Sequence, residues 1–404
     1  MASSVRGARL SRVTRTIAAE ERRARLAHRH RLLAGRRTDD VPALVEDLVA
    51  LHSSDPVSVF LSAAARMDHP GTEPVEKALY EQRDVVRHHA MRRTLWVATR
   101  DAVRAMHAAT TLRLVGAERR RTLGLLKASG VADPEAWLDD ARDQVLAALH
   151  EHGPMTARAL GERVPALRQP LQLAPGKKYA ATVSAHTRVL LGLGFEGALV
   201  RTRPTGTWIN GQYTWAAMDT WLPGGVDGMD PRAAARDLVG RYLSAFGPVT
   251  TEDVQWWTGL PVTTVRRALA DCGAVEVDLD GAPGWLAAGD EDPGSAADEP
   301  WVALLPGLDP TTMGWKLRDW YLDATSADAF DRNGNAGPTV WADGRVVGAW
   351  AQRPDGEIRT HLFTPLARAH RVLLEERVEQ LRQVLDGARF TPRFPGVVHA
   401  TLLA

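Results

Sequence analysis

Two stretches of the chain, ARDQVLAALHEHGPMT (141–156) and ARDLVGRYLSAFGPVT (235–250), agree at eight of sixteen positions, at a constant offset of 94 and without a gap. Such a repeat constrains the architecture more than any single element does, because a recurring unit must bury similar faces each time it occurs. Both copies read as a helix, a Gly-Pro stop and a threonine placed to cap the next helix. After the second copy, TEDVQWWTGLPVTTVRRALADCG gives a short helix ending at Gly259, a turn carrying Pro261, and a helix with Val265 and Leu269 on one face and Arg266 and Arg267 beside it. AVEVDLDGAPGWLA then alternates like a strand, turns at Asp280-Gly281 and returns. Helix, helix, recognition helix and hairpin is the order of a winged helix. The first copy repeats the plan with a longer connection, PALRQPLQLAPGKKYAA, a helix around TVSAHTRVLLGLGF, and a hairpin, GALVRTRPTGTWINGQYTWA. In that hairpin Arg201 and Arg203 share one strand face, and Pro204 to Gly206 supply the turn.

Residues 16–110 hold the ingredients of a third related unit. From Thr16 onward, TIAAEERRARLAHRHRLL reads as a basic helix capped by that threonine; a second helix covers 41–51; RRTLWVAT is strand-like, with Thr99 placed to cap RDAVRAMHAAT. Beyond the acidic linker AAGDEDPGSAADEP (287–300) the texture changes. WVALLPGLDPTTMGW opens on a buried strand, PTVWADGRVVGAWAQRPDGEIRTHLF reads as a three-stranded meander turning at Asp343-Gly344 and Asp355-Gly356, and a long amphipathic helix covers 367–386. The expected fold class is mainly α with small β-hairpins (α+β), built from tandem winged helices and a C-terminal β-rich α+β element. The expected divisions are a basic disordered tail over 1–15, winged-helix-like units over 16–135, 136–230 and 231–286, a linker over 287–300 and the C-terminal element over 301–404.

The charge pattern limits what such units can do. Net charge is +1, yet residues 1–37 hold eleven arginines against Glu20 and Glu21, a local +9, so the remainder sums to −8. A basic start of this kind suits a transit peptide, a disordered arm or a nucleic-acid contact. Cys272 is the sole cysteine, which excludes intrachain disulfides, multi-thiolate zinc sites and cysteine-held iron–sulfur clusters. Its place at a helix-to-strand junction points to an inert thiol. His88-His89 lacks metal-ligand spacing, and neither a phosphate-loop nor a zinc-protease motif occurs, so no cofactor and no metal is expected. No apolar run approaches the ~18 residues of a membrane span, and the opening MASSVRGARL lacks a signal-like apolar stretch; a cytoplasmic, nucleoid-associated monomer without membrane contact is expected.

Several stretches resemble a known family. LVALHSSDPVSVFLSAAARM, VVRHHAMRRTLWVATRDAV, FGPVTTEDVQWWTGL, LLPGLDPTTMGWKLRDWYL and FDRNGNAGPTVWADGRVVGAW, in that order, are similar to the winged-helix DNA glycosylase superfamily, the AlkZ- and YcaQ-like proteins. The similarity runs from about residue 16 to 398. The resemblance implies tandem winged helices curved around a DNA channel, and enzymes that excise alkylated bases, some of which unhook interstrand crosslinks. It also implies that the chemistry resides at the joint reading His52-Ser53-Ser54. There the family carries Gln-x-Gln or Gln-x-Asp, and this chain carries His-x-Ser.

That joint lies in LVALHSSDPVSVF (48–60), between the helix expected over 41–51 and the one after Pro56. Cleaving the bond from sugar to base passes through an oxocarbenium-like sugar, so the site must hold a water and tolerate positive charge. A base made cationic by alkylation leaves without a general acid. Neutral His52 can accept a proton bond from the water, with Ser54 as a second acceptor or donor; protonated, it repels the developing cation. Opposing helix ends act on the imidazole with similar strength. The structural alternative is that Ser54 and Asp55, ahead of Pro56, only cap the next helix. Candidate DNA contacts are Arg92 and Arg93, Arg201 and Arg203 on the wing, Arg266 and Arg267 on the recognition helix, and Arg332 and Asn333 in DRNGN. Surface ion pairs, contacts between units and plain turn formation compete for these residues. Most of the thirteen tryptophans fall at core-like spacing. The expected partner is damaged double-stranded DNA and the expected activity a DNA glycosylase; the alternative is a winged-helix DNA-binding protein without chemistry, a transcription regulator or damage shield.

Overall fold

The computed structural model describes residues 15–173, 180–293 and 299–404. The tail expected over 1–15 lies outside the described residues except for Arg15, as do part of the long connection (174–179) and part of the acidic linker (294–298). Thr16 does not cap a helix. It bridges to Asp278, the Ile17 amide donates to the Asp278 carbonyl at 2.8 Å, and α1 (Ala19–Arg29) starts two residues later than expected. The reason is packing: Ile17 is sealed against Val277, Leu279 and Leu286, and that burial outweighs a capping hydroxyl. The arginines of α1 belong to the interior. Arg25 pairs with Glu21 and Asp290 at 2.8 Å, Arg23 donates to the Trp320 carbonyl at 2.6 Å, and Arg22 lies over the Trp320 ring.

Asp40 caps α2 (Val41–Asp47), which ends four residues before its expected stop. Val49 adopts a left-handed conformation with φ 62° and turns the chain into β1 (Leu51–His52). The joint is therefore a strand rather than a turn between helices. It runs into α3 (Pro56–Ala64), followed by α4 (Glu73–Glu76), β2 (Val85–His89) and β3 (Leu95–Thr99). The three strands form an antiparallel sheet in the order β1-β3-β2. In it His52, Trp96 and His88 share one register row, and Leu51, Val97 and Arg87 the next. Side chains of adjacent rows point to opposite faces. Thr99 precedes α5 (Arg100–Met106) as expected, but its hydroxyl donates to Glu46 at 2.6 Å instead of capping the helix. The long α6 (Leu112–Ala128) leads to the repeat.

The helices and hairpins read for both copies are present, with two differences in the first: a two-stranded ladder occupies its long connection and turns 182–184, read as the start of a helix, into strand, and Pro204, read as a turn residue, ends a strand. The first contains α7 (Pro134–His152), β4 (Met155–Thr156), α8 (Ala157–Arg163), β5 (Pro170–Leu173), β6 (Ala181–Ser184), α9 (His186–Phe195), and a hairpin of β7 (Leu199–Pro204) and β8 (Tyr213–Ala217). A short α10 (Met218–Trp221) connects it to the second copy, with α11 (Pro231–Phe246), α12 (Thr251–Thr258), α13 (Val262–Asp271) and the hairpin β9 (Val275–Leu279) and β10 (Ala282–Leu286). The repeated threonine does the same work twice. Thr156 accepts from the Ala159 amide at 3.1 Å, and Thr250 forms a reciprocal capping box with Asp253. The cores differ. The first copy closes one of its own, around Leu149, Leu160, Val189 and Trp215, and the other face of its hairpin, with Val200 and Ala216, enters the larger core. The second gives Tyr242, Phe246, Trp257 and Leu269 to a core shared with Leu44, Trp96 and Met106 before it and Trp315 and Tyr321 after it.

The C-terminal element starts with β11 (Val302–Leu305) and α14 (Pro310–Met313), and β12 (Thr339–Ala342), β13 (Arg345–Gln352) and β14 (Ile358–Leu362) complete a sheet ordered β11-β12-β13-β14. The meander turns where expected, with Asp343 and Gly344 both at positive φ, the backbone a tight hairpin requires. α15 (Arg368–Leu385) covers this sheet, and Val57 and Leu61 of α3 enter the same core; α16 (His399–Leu403) follows. The result is the mixed α+β architecture expected from the sequence.

Candidate active site

At the elbow from β1 into α3, His52 is 5% exposed and its ring packs on Trp96 with centroids 4.6 Å apart. The Ser54 amide donates to Nδ1 of His52 at 3.3 Å, which leaves the ring proton on Nε2. Burial and then the Arg92 charge push the His52 pKa down to about 3, so the imidazole is neutral at physiological pH. The end of α2 does not oppose this shift, because that helix stops at Asp47. Ser54 is half-buried, and its carbonyl accepts from Arg393 Nη1 at 3.1 Å. Asp55 is the cap of α3: its carboxylate accepts from the Val57 amide at 3.3 Å and the Arg393 amide at 2.9 Å, while burial raises its pKa. The structural reading thus holds for Asp55, and the backbone of Ser54 is anchored without engaging its hydroxyl. Behind the elbow, on the opposite sheet face, Ser53 Oγ accepts from Arg87 Nε at 2.9 Å. Arg87 is 2% exposed and lies over the Tyr213 ring at 4.4 Å, tying the elbow to the first copy's hairpin.

The candidate DNA contacts fall into two groups. Arg92 lies over Trp256 at 4.2 Å, and Arg93 pairs with Glu118. Arg201 lies over Trp215 at 4.8 Å, and Arg203 pairs with Glu76 at 2.9 Å and with Glu81. Arg93 and Arg203 are thus engaged by protein carboxylates. Arg266, Arg267, Arg332 and Asn333 are exposed, and the three arginines make no ion pair among the described residues. Asp331 shapes the loop of the last two by accepting the Asn333 and Asn335 amides at 2.8 and 2.9 Å.

The sequence did not single out Arg87, Trp96, Arg318 or Arg393. Alternation in VVRHH places Arg87 opposite His88, which was readable; the reach of Arg393 across 339 positions to Ser54 was not. The paired histidines are internal. His88 Nε2 meets His107 Nδ1 at 3.0 Å, and burial keeps His88 and His89 far below the usual imidazole pKa. Cys272 ends α13, and burial raises its thiol pKa, the setting of an unreactive thiol. Among the described residues no group of three or more His, Cys, Asp or Glu gathers to hold a metal ion, and no helix is long and apolar enough to cross a membrane.

A family model described as DNA glycosylase AlkZ-like matches residues 45–384. Over 129 residues, 30% of this chain, the sequence is 33% identical to the interstrand DNA cross-link repair glycosylase of Streptomyces sahachiroi, and the match spans 35% of that protein's length. The solved structure of Streptomyces sahachiroi DNA glycosylase AlkZ shares the fold, with a TM-score of 0.71 and 21% identity over 94% of this chain and 99% of the other. The family match takes in the elbow, both repeat copies and the C-terminal sheet, so the chain belongs to the AlkZ-like DNA glycosylase family.

Proposed function

We propose that this protein is a DNA glycosylase of base-excision repair, hydrolysing the N-glycosidic bond of alkylated or bulky-adduct bases in duplex DNA. The observation that carries the reading is a neutral imidazole beside a half-buried serine at the elbow, within the segment matched by the family model. A positively charged group there would oppose an oxocarbenium-like sugar; His52 does not. In this reading a water accepts from His52 Nε2–H with one lone pair, donates to Ser54 Oγ, and attacks the anomeric carbon with the other lone pair. The new C–O bond forms as the C–N bond breaks, its electron pair neutralises the cationic base, and the water's proton leaves to solvent. Because an N7-alkylated purine departs without protonation, weak activation of the water suffices. The exposed Arg266, Arg267 and Arg332 supply backbone contacts, and the protein works as a monomer.

A second reading, a damage-binding protein without chemistry, draws support from the 5% exposure of His52 and the engagement of its basic nitrogen by the Ser54 amide. The two separate on incubation with duplex DNA carrying 7-methylguanine or nitrogen-mustard adducts. Free base is the expected product; tight binding without release across the adduct panel would establish the second reading.

A further inference from the structure

Between β2 and β3 the chain turns through Met91–Arg93, where Arg92 and Arg93 are consecutive non-glycine residues at φ 54° and 64°. Each such residue costs roughly 1–2 kcal/mol, and strain of this kind concentrates at functional positions. The turn is held because the buried Met91 accepts on its carbonyl both Thr94 Oγ1, at 2.8 Å, and Trp96 Nε1, at 3.3 Å. Its effect is to send the two arginines apart, Arg93 to Glu118 and Arg92 onto the Trp256 ring. Arg318 reaches the same ring at 5.4 Å and the Phe330 ring at 4.5 Å, with its Nε donating to the Trp315 carbonyl and its Nη1 to the Gly334 carbonyl, both at 3.2 Å. Two guanidiniums therefore converge on one indole, and neither forms an ion pair with a carboxylate among the described residues. The Nε of Arg92 is buried without a partner, and burial followed by the Arg318 charge pulls the Arg92 pKa down to about 10.

Like charges brought together in a half-buried place without an acid destabilise the fold unless an anion joins them. The surroundings indicate which anion. On one side, Trp96, bonded to the Met91 carbonyl, is the ring against which His52 packs. On the other, Gly334 belongs to the loop that exposes Arg332. We propose that Arg92 and Arg318, gathered on Trp256, form a phosphodiester clamp that holds the DNA backbone beside the nucleotide whose sugar faces the elbow. The clamp rests on the glycosylase reading for its register with the elbow. Planar guanidinium forks suit the bidentate geometry of phosphate oxygens.

The test measures affinity of the full chain for a short undamaged duplex over a series of NaCl concentrations. Each phosphate contact contributes about 0.9 to the slope of log K against log salt. Arg92→Gln and Arg318→Gln are each expected to lower that slope by about 0.9, Arg318→Lys to keep it with a severalfold loss of affinity, and the remote Arg382→Gln to change nothing. The two glutamine variants are read separately after a thermal melt, so one that does not fold leaves the other to decide. Folded glutamine variants with the parental slope would overturn the clamp. Base release by the parent, scored in parallel, keeps the two ideas apart: lowered slopes without any release uphold the clamp and remove the glycosylase reading, while release with unchanged slopes removes the clamp alone.

Discussion

A few buried polar residues fix the relation between the elbow and the rest of the chain. Arg66, just after α3, and Asp309, at the cap of α14, are both fully buried and meet through two hydrogen bonds of 2.7 and 2.9 Å, with His30 and Thr311 completing the network. Burial alone would raise the Asp309 pKa, but the Arg66 charge prevails and the net shift is downward. Removing one partner of such a pair strands the other, so Arg66→Met should cost about 3–5 kcal/mol in urea unfolding at neutral pH. Histidines set the acid limit. His30, His52 and His89 are each pushed down to about 3, first of all by burial. In the unfolded chain they titrate near ~6.5. Between those values the unfolded state binds more protons, so their contribution is complete above the unfolded pKa and is lost as pH falls towards 3. Each steepens the fall by up to ~1.4 kcal/mol per pH unit, and His52→Gln should flatten the stability profile between pH 6 and 4 by about that amount. The sequence identified His52 as polar and near the joint. Its neutrality was not legible, because it depends on Trp96 and Arg92, which arrive by strand pairing rather than by proximity in the chain.

Among the elements, the repeat was the most readable feature, since periodicity, a Gly-Pro stop and a capping threonine all act within a few residues. What the repeat did not disclose is that its copies are stabilised differently. Thr250 caps α12 in a reciprocal box whose acid, Asp253, also accepts the Lys316 and Leu317 amides at 2.8 and 2.9 Å, whereas Thr156 makes a single cap bond. Thr250→Ala should therefore cost about 2 kcal/mol and Thr156→Ala about 1, measured by chemical denaturation. Equal losses would show that the box adds nothing. The elements missed from the sequence, the bridge at Thr16 and the early end of α2, were both decided by long-range burial of Ile17 and by pairing of Leu51 with Val97.

On the scale of the whole molecule, the shared core welds the second repeat copy to residues on both sides of it, while the first copy has a core of its own, joins the shared one through Val200 and Ala216, and reaches the elbow through Arg87 and the Tyr213 ring. The elbow is thus clasped between units, with His52 on one sheet face and the Ser53–Arg87 hydrogen bond on the other. The resemblance pointed to His52-Ser53-Ser54 as the joint, whereas the packing of its imidazole on Trp96 was not legible in the sequence. Of the proposed phosphate contacts, Arg266 and Arg267 are unpaired, so changing both to Gln should lower the salt slope of duplex binding by about 1.8, whereas Arg203→Gln, whose side chain already pairs with Glu76 and Glu81, should leave it unchanged. The most direct test of the central claim is the single-turnover rate of base release from a duplex carrying one 7-methylguanine. Free guanine derivative should appear with the parent protein, release should fall by at least about a hundredfold in His52→Ala and Ser54→Ala with duplex affinity nearly intact, and His52→Gln with Ser54→Gln, which installs the Gln-x-Gln that the resemblance implies, should retain activity. Parental rates in both alanine variants would place the chemistry somewhere other than the elbow.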